Sequence, residues 1–282
     1  MLNARPNSTF RRRFLIAASG PDFKARLLIS RALLLVLLAF AVVPAGAQQA
    51  VETDSDPTRP VFLSVRPEFY KISDDVDRLS LIARYDVGLF KEKGVLGAKS
   101  GLILRFELPF FSHGDTASDS ASGLGDAYGQ FLLVPHATRK FLWVAGSGFL
   151  LPTATDPLLG AGKWVAAPLV APVWRLPYGL FLVKIQNLTS FAGDSDRRDI
   201  NHLLITPIYI RTVGTNFWVL FDSETKTNWE ADGRTGIKSG FQFGRRAGRA
   251  YGFWIKPEVW WGPNRDGDWN LKFGLLWYQR RR

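Results

Sequence analysis

The sequence has no cysteine and a single methionine, at position 1. Without thiols there is no disulfide framework, no thiolate metal site, no cysteine nucleophile and no lipidated N-terminal cysteine. Histidine is nearly as scarce, at His113, His136 and His202. His113 falls in a loop and His136 in a tight turn, and His202 begins a strand with Asn201 beside it. A nucleophile needs its base within hydrogen-bond reach and that base oriented by a third group. No local arrangement here supplies that, so the expectation is no enzyme and no catalytic residue. The sequence also lacks a metal-ligand cluster, a phosphate-binding loop and a dinucleotide fingerprint, so no cofactor is expected. After Gln48 there is no apolar run near the roughly 20 residues that a spanning helix requires.

Positive charge is plentiful but badly placed for nucleic acid. The net charge is +11 over 282 residues. Residues 1–47 hold seven basic side chains against Asp22, and three more form the tail Arg280-Arg281-Arg282. The body between them is close to balanced, so no nucleic-acid partner is expected. The basic N-terminal residues, up to Arg31, precede the apolar run Ala32 to Val43 and the small residues Pro44-Ala45-Gly46-Ala47. That order is a secretory signal with its cleavage site after Ala47. A retained anchor is the alternative, but the run is too short to cross a bilayer. Phe10-Arg11-Arg12-Arg13-Phe14-Leu15 resembles a twin-arginine signal, yet Lys24, Arg26 and Arg31 separate it from the apolar run. The division is then 1–47 cleaved signal, 48–59 flexible acidic leader, 60–279 main domain and 280–282 basic tail.

What fills the main domain is short alternating segments bounded by Gly, Pro, Asp and Asn, which is the strand signature. Twelve are predicted, at about 60–71, 77–90, 100–111, 125–134, 139–151, 163–175, 178–190, 201–212, 215–223, 235–245, 249–261 and 268–279. In the second, Leu79, Leu81, Ala83, Tyr85, Val87 and Leu89 share a face opposite Arg84 and Asp86. In the last, Trp269, Leu271, Phe273, Leu275 and Trp277 oppose Asn270 and Lys272. One greasy and one charged face fits a sheet between two different solvents. From the fourth segment onward, tight turns alternate with long polar loops (112–124, 152–162, 191–200, 224–234 and 262–267). Short turns at one rim and long loops at the other mark an all-β antiparallel transmembrane β-barrel of the outer-membrane type. Trp164, Trp261 and Trp269 beside long loops, and Trp143, Trp174, Trp218 and Trp277 near short turns, predict two interfacial girdles. A soluble sandwich or calycin-like barrel is the alternative, with the greasy face inside and the charged face outside.

Five blocks strengthen the barrel reading: GLGDAYGQFLL at 123–133, LPTATDPLLGAGKW at 151–164, SFAGDSDR at 190–197, TNWEADG at 227–233 and WNLKFGLLWY at 269–278. With them the chain resembles the outer-membrane proteins of the meta-pathway of phenol degradation family, over about residues 123–278. The resemblance implies a bacterial outer-membrane location, with lipid and the barrel-assembly machinery as partners. It also implies passage of small, aromatic compounds, and no catalytic residues. One departure is the end of the chain, where Tyr278 is followed by Gln279 and three arginines rather than closing on an aromatic residue.

Alternation places Arg66, Glu68, Arg84, Asp86, Arg105, Glu107, Lys184, Lys238, Lys256, Glu258 and Lys272 on the inner face. Their signs alternate along the first three strands, which predicts cross-strand pairing. Two readings follow: a lumen with a slight basic excess that passes small anionic solutes, or charges that pair and fill a narrow interior. At the loop rim the candidates are Asp156, Lys163, Trp164, Asn228 and Trp229, the last as a lid folded over the mouth. Loop 111–124 reads as small and polar, and the loop with Asp194, Asp196, Arg197, Arg198 and Asp199 as solvated charge. Pro168 and Pro172 share one face of the sixth segment with Trp164 and Trp174. Each lacks the N–H that a ladder uses, which predicts a local bulge or bend there.

Overall fold

The computed structural model describes residues 63–91, 99–248, 250–262 and 265–278. The expected signal peptide with cleavage after Ala47, the expected leader 48–59 and the tail from Gln279 lie outside the described residues. The strands are β1 (Leu63–Ser73), β2 (Val76–Lys91), β3 (Lys99–Asp115), β4 (Ser120–Gly123), β5 (Ala127–Ala137), β6 (Phe141–Leu151) and β7 (Lys163–Leu176). They continue as β8 (Gly179–Gly193), β9 (Asn201–Val213), β10 (Phe217–Asn228), β11 (Arg234–Ala247), β12 (Tyr251–Trp261) and β13 (Trp269–Trp277). Chain neighbours pair antiparallel, except that β5 pairs with β3 and not with β4, and β1 pairs with β13 from Leu63↔Trp277 to Lys71↔Trp269, which closes the sheet. β4 is a hairpin arm of the loop after β3 (Ser112↔Gly123, Asp115↔Ser120) and not a wall strand. Twelve strands therefore form the barrel, as their alternation predicts; from β5 onward tight turns lie at one rim and longer loops at the other, while the β1–β2 turn, Asp74-Asp75, is tight at the long-loop rim.

The solvent on each face follows from which side chains are covered. Leu89 is 58% exposed, Phe106 54% and Leu275 52%, whereas Arg84 and Asp86 are each 3% exposed and Glu258 2%. A soluble barrel would invert that order, because burying charge against solvated leucine is costly in water. Only a surround of lipid makes an apolar outer face and a charged inner face favourable together. The fold is a transmembrane barrel of the outer-membrane type. Trp164, Trp261 and Trp269 stand outward at the long-loop rim and Trp143 and Trp174 outward at the other.

Several expectations are corrected. Trp218 is not a girdle residue. It points into the lumen and is 1% exposed, because the inner face is itself apolar at the short-turn rim. Pro168 and Pro172 cause no bulge. The β6–β7 register runs unbroken past both, from Leu150↔Val165 to Phe141↔Trp174. On the β8 side the register is also constant, and the ladder simply omits 167–168 and 171–172. The missing N–H costs rungs without adding a residue. The irregularity in that pair lies at Trp164/Val165, opposite Ala192 and Ser190, where Phe191 is the extra residue. β10 runs on to Asn228, five residues past its expected end, since Thr225 and Thr227 keep the outward alternation. In β3 a second bulge at Phe110 resets the face, so that Ser112 and Gly114 follow Arg105 and Glu107 inward.

Candidate functional site in the barrel lumen

All eleven inner-face candidates lie on barrel strands and point into the lumen; ion pairs, with Arg84–Glu107 at 4.0 Å as one link, join nine of them into one belt, and Lys238 pairs beside it. Arg66 donates to Glu107 at 2.8 Å and lies 3.2 Å from Glu68. Arg84 and Arg105 both grip Asp86, at 2.6 and 3.0 Å. Lys272 links Glu68 at 3.7 Å to Glu258 at 3.1 Å, carrying the belt across the β13–β1 seam. Lys256 sits 2.8 Å from Glu258 and 2.5 Å from Asp222, and Lys238 is 3.2 Å from Glu224. Lys184, on β8, makes no ion pair within 4.0 Å among the described residues, but Glu224 and Asp222 on β10 attract it.

Asp222 and Glu224 were not legible as inner-face carboxylates. Asp222 follows the inward but apolar Trp218 and Leu220, and Glu224 falls past the expected strand end. With them the belt is closer to neutral than the eleven candidates alone. Tyr70 also escaped notice; its hydroxyl donates to Glu68. Among the described residues, no ion pair between barrel strands joins strands more than two positions apart in the wall. Arg66–Glu107 spans β1 to β3 and Lys256–Asp222 spans β12 to β10. The belt thus runs along the wall from β10 through β13 to β3 and does not cross to β6–β8.

The facing wall is built differently. At mid-height β5 to β9 present Tyr128, Gln130, Gly146, Gly148, Ala167, Lys184, Gln186 and Thr206. The Tyr128 ring lies on Gly148, where a Cβ would collide with its hydroxyl, and that hydroxyl accepts from Gln130 at 3.1 Å and Gln186 at 3.4 Å. Toward the short-turn rim the lumen becomes apolar, with Leu142, Val144, Val173, Leu182, Ile210 and Leu220 all nearly inaccessible. Trp218, Trp254, Leu276 and Tyr278 complete that layer on the remaining strands.

The long-loop rim is closed in part by residues 152–162. Asp126 accepts from the backbone N–H of Ala154 at 3.0 Å and of Ala161 at 2.6 Å. Arg197 donates to the carbonyls of Pro157 and Gly160, both at 2.7 Å. From the far wall, Arg78 on β2 donates to the Leu158 carbonyl at 2.7 Å, and Leu159 is 4% exposed beside Gly114 and Gly123. The segment therefore reaches across the mouth from β6–β7 to β2–β3. Asp156 belongs to it and accepts from the Leu158 N–H at 2.8 Å. Lys163 points inward and donates to Asp199 at 2.9 Å, while Trp164 beside it faces outward, 41% exposed. The Lys163 ammonium holds the Asp199 carboxyl below the usual carboxylate range. The 190–200 loop is thus a set of anchors, not merely solvated charge.

Asn228 accepts from the Glu230 N–H at 3.0 Å and opens a single 3-10 turn, Trp229–Ala231. Trp229 is 52% exposed and lies against Gly233 of its own turn, so it is no lid. Loop 111–124 forms the β3–β4 hairpin, where His113 Nδ1 meets Ser122 Oγ at 2.8 Å. Among the described residues no carboxylate is hydrogen-bonded to that ring, so the orienting third group of a hydrolase triad is missing. No group of three or more His, Cys, Asp or Glu among the described residues is placed to hold a metal.

Closed wall, lipid-facing apolar surface and charged interior define the class: a barrel with the architecture of outer-membrane channels. Among solved structures, the chain is similar to an outer membrane channel from Pseudomonas putida F1, with TM-score 0.62 and 12% identity over 80% of this chain and 99% of that one. It is also similar to the NanC porin, with TM-score 0.54 and 10% identity over 77% of this chain and 100% of that one. At such identities the likeness is one of fold. Neither a family model nor a curated protein matches the sequence.

Proposed function

We propose that the protein is a passive channel of the bacterial outer membrane for small molecules. The observation that supports this most is the course of the ionic belt. Charges meant to plug a barrel would pair across its diameter, between strands about six apart in a wall of twelve. Here they pair along the wall, and the facing wall carries Gly146, Gly148 and Ala167 at the same height. Fixed, paired charges on a lumen wall hold water and tune selectivity without blocking the path. The resemblance to the meta-pathway of phenol degradation family favours small aromatic solutes, and the inner lysines favour anionic ones. Cleavage after Ala47, lipid contact and delivery by the barrel-assembly machinery belong to the same reading.

A second reading has its own observation. At the short-turn rim every inward side chain from Leu142 to Leu220 in the apolar cluster is at most 9% exposed. A barrel closed there would serve structure or envelope interaction and conduct nothing. Liposome swelling decides between the two, with unboiled electrophoretic mobility as the check on folding. Uptake of small neutral sugars by vesicles holding the folded barrel is expected. No uptake of any small solute by that folded barrel would overturn the channel and leave the closed barrel.

A further inference from the structure

We infer that the short-turn rim, through Arg211 and Arg245 above all, binds the headgroups of an anionic phospholipid in the periplasmic leaflet of the membrane. The inference rests on the barrel spanning a membrane and not on its lumen conducting. Short turns of outer-membrane barrels face the periplasm. Four of them are described, β5–β6, β7–β8, β9–β10 and β11–β12. The stretches that contain them, 134–146, 168–183, 207–219 and 241–254, hold no Asp or Glu. Their basic residues include Arg139, Lys140, Arg175, Arg211 and Arg245.

The opposite rim follows another rule, with carboxylates beside its cations. Lys71 is 3.0 Å from Asp77, Lys163 2.9 Å from Asp199, Lys226 2.6 Å from Asp266 and Arg265 2.9 Å from Asp268. The chain thus supplies counter-charge at the long-loop rim and places none in the four short-turn stretches. Charges of one sign repel one another unless their surroundings carry the other sign.

Orientation is the second observation. Arg211 stands between Ile210 and Thr212, which are inward and 4% and 5% exposed, so it leaves the wall on the outer face. Arg245 follows the inward Gly244, and its guanidinium lies over the ring of Phe217 at 5.2 Å from the centroid. Phe217, Trp143 and Trp174 are outward and exposed, and such aromatic residues mark the level at which headgroups meet hydrocarbon. An arginine there lays its stem along apolar surface and keeps its in-plane N–H groups for a phosphate. Arg139, Lys140 and Arg175 are exposed at their turns. The spread of these cations selects the occupant. They occupy turns from β5 to β12, around most of the circumference, where a docked acidic protein would meet one arc and a leaflet meets them all.

The test is quenching of tryptophan fluorescence in the folded barrel, held in phosphatidylcholine vesicles with a minor share of brominated phosphatidylglycerol or of brominated phosphatidylcholine. Trp143 and Trp174 report from the short-turn rim. Phosphatidylglycerol is expected to be favoured about fivefold beside the protein at low salt, and much less at about 0.5 M NaCl. The double variant Arg211→Gln, Arg245→Gln should lose at least half of that preference. Lys226→Gln, at the other rim, should keep it, with unboiled mobility as the check on folding. Equal quenching by the two lipids in the wild type would overturn the inference and leave the rim to water or to an acidic protein. An unchanged preference in the double variant, or its loss in Lys226→Gln, would overturn it too. Inorganic phosphate in place of chloride at equal ionic strength should change nothing; a preference that phosphate abolishes would mean a site for the free ion and would overturn the lipid.

Discussion

Replacing Gly244 with alanine is expected to destabilise the barrel by about 3 kcal/mol, although the change adds one methyl group. Gly244 is the ladder partner of Trp218, and the indole lies flat against it inside the lumen. A Cβ on Gly244 would overlap Cε2, Cζ2 and Cδ2 of that ring. These are not the loose end of a side chain, so the whole indole must move. It is 1% exposed and packed with Trp254, Leu276 and Tyr278, and has nowhere to go without disturbing them. Overpacking a tight interior costs about 1–3 kcal/mol. Full loss of the ring's burial, at roughly 150–250 Å² and about 25 cal/mol per Å², would cost about 4–6 kcal/mol. Partial displacement lies between the two. The indole N–H has no hydrogen-bond partner, so no polar contact is lost and the figure is one of packing alone.

The assay is equilibrium urea unfolding of the barrel in lipid vesicles, read through tryptophan fluorescence. Lipid is not a confounding factor, because both residues face the lumen. A double-mutant cycle isolates the cause. Once Trp218→Leu has removed the ring, Gly244→Ala should cost less than about 1 kcal/mol, since glycine gives a strand no packing of its own. Gly274 beneath Trp254 repeats the arrangement on β12–β13 and should repeat the result. A single-variant loss below about 0.5 kcal/mol, or strict additivity in the cycle, would refute the reasoning.

Glu258→Gln leaves Lys256 with Asp222 and Lys272 with Glu68 at 3.7 Å, and should lower unfolding stability by about 2 kcal/mol because two half-buried cations lose their shared, buried partner; an unchanged urea midpoint would show the belt to be solvated. Arg197→Ala removes the donors to Pro157 and Gly160 and should raise protease cleavage within 152–162 while unboiled mobility stays the same; equal cleavage would mean that Asp126 and Arg78 suffice. Asp199 titrates below its ordinary value, so its attachment to Lys163 is complete above the unfolded carboxylate range of about pH 4 and is lost as the pH falls through the lower folded value. Solvent labelling of residues 194–199 should therefore be flat from neutral pH to about pH 4 and rise below it. Asp199→Asn should show the raised labelling at every pH.

Strand number, closure and face were legible wherever the two faces differ in polarity. Along β1 to β3 and β11 to β13, apolar and charged residues alternate, and the period of two assigns the inner face directly. The signal fades on β5 to β7. There Leu132, Val134, Val144, Val165 and Val173 point inward and Phe131, Leu133 and Val170 outward, so both faces look the same. The same loss of contrast at the short-turn rim hid the inward course of Trp218 and, following it, Asp222. Bulges at Phe110 and Phe191 leave no mark, since one inserted aromatic residue is compatible with either face. The bridging of the mouth was least legible of all. It depends on Arg78 reaching a carbonyl eighty positions away, and local pattern carries no information about such a contact.

The lumen joins two devices that look opposed and act on different parts of a solute. The belt from β10 to β3 is already neutralised by its own partners, so it offers a passing ion little attraction, and its carboxylates repel anions as strongly as its cations draw them. Taken alone, that wall is unselective. The apolar layer at the short-turn rim opposes any bare ion, which would lose its hydration there without replacement. Together they disfavour small inorganic ions of either sign. If the lumen conducts as proposed, it passes uncharged small solutes more readily than ions, and most readily those with apolar surface to set against Leu182, Ile210 and Leu220.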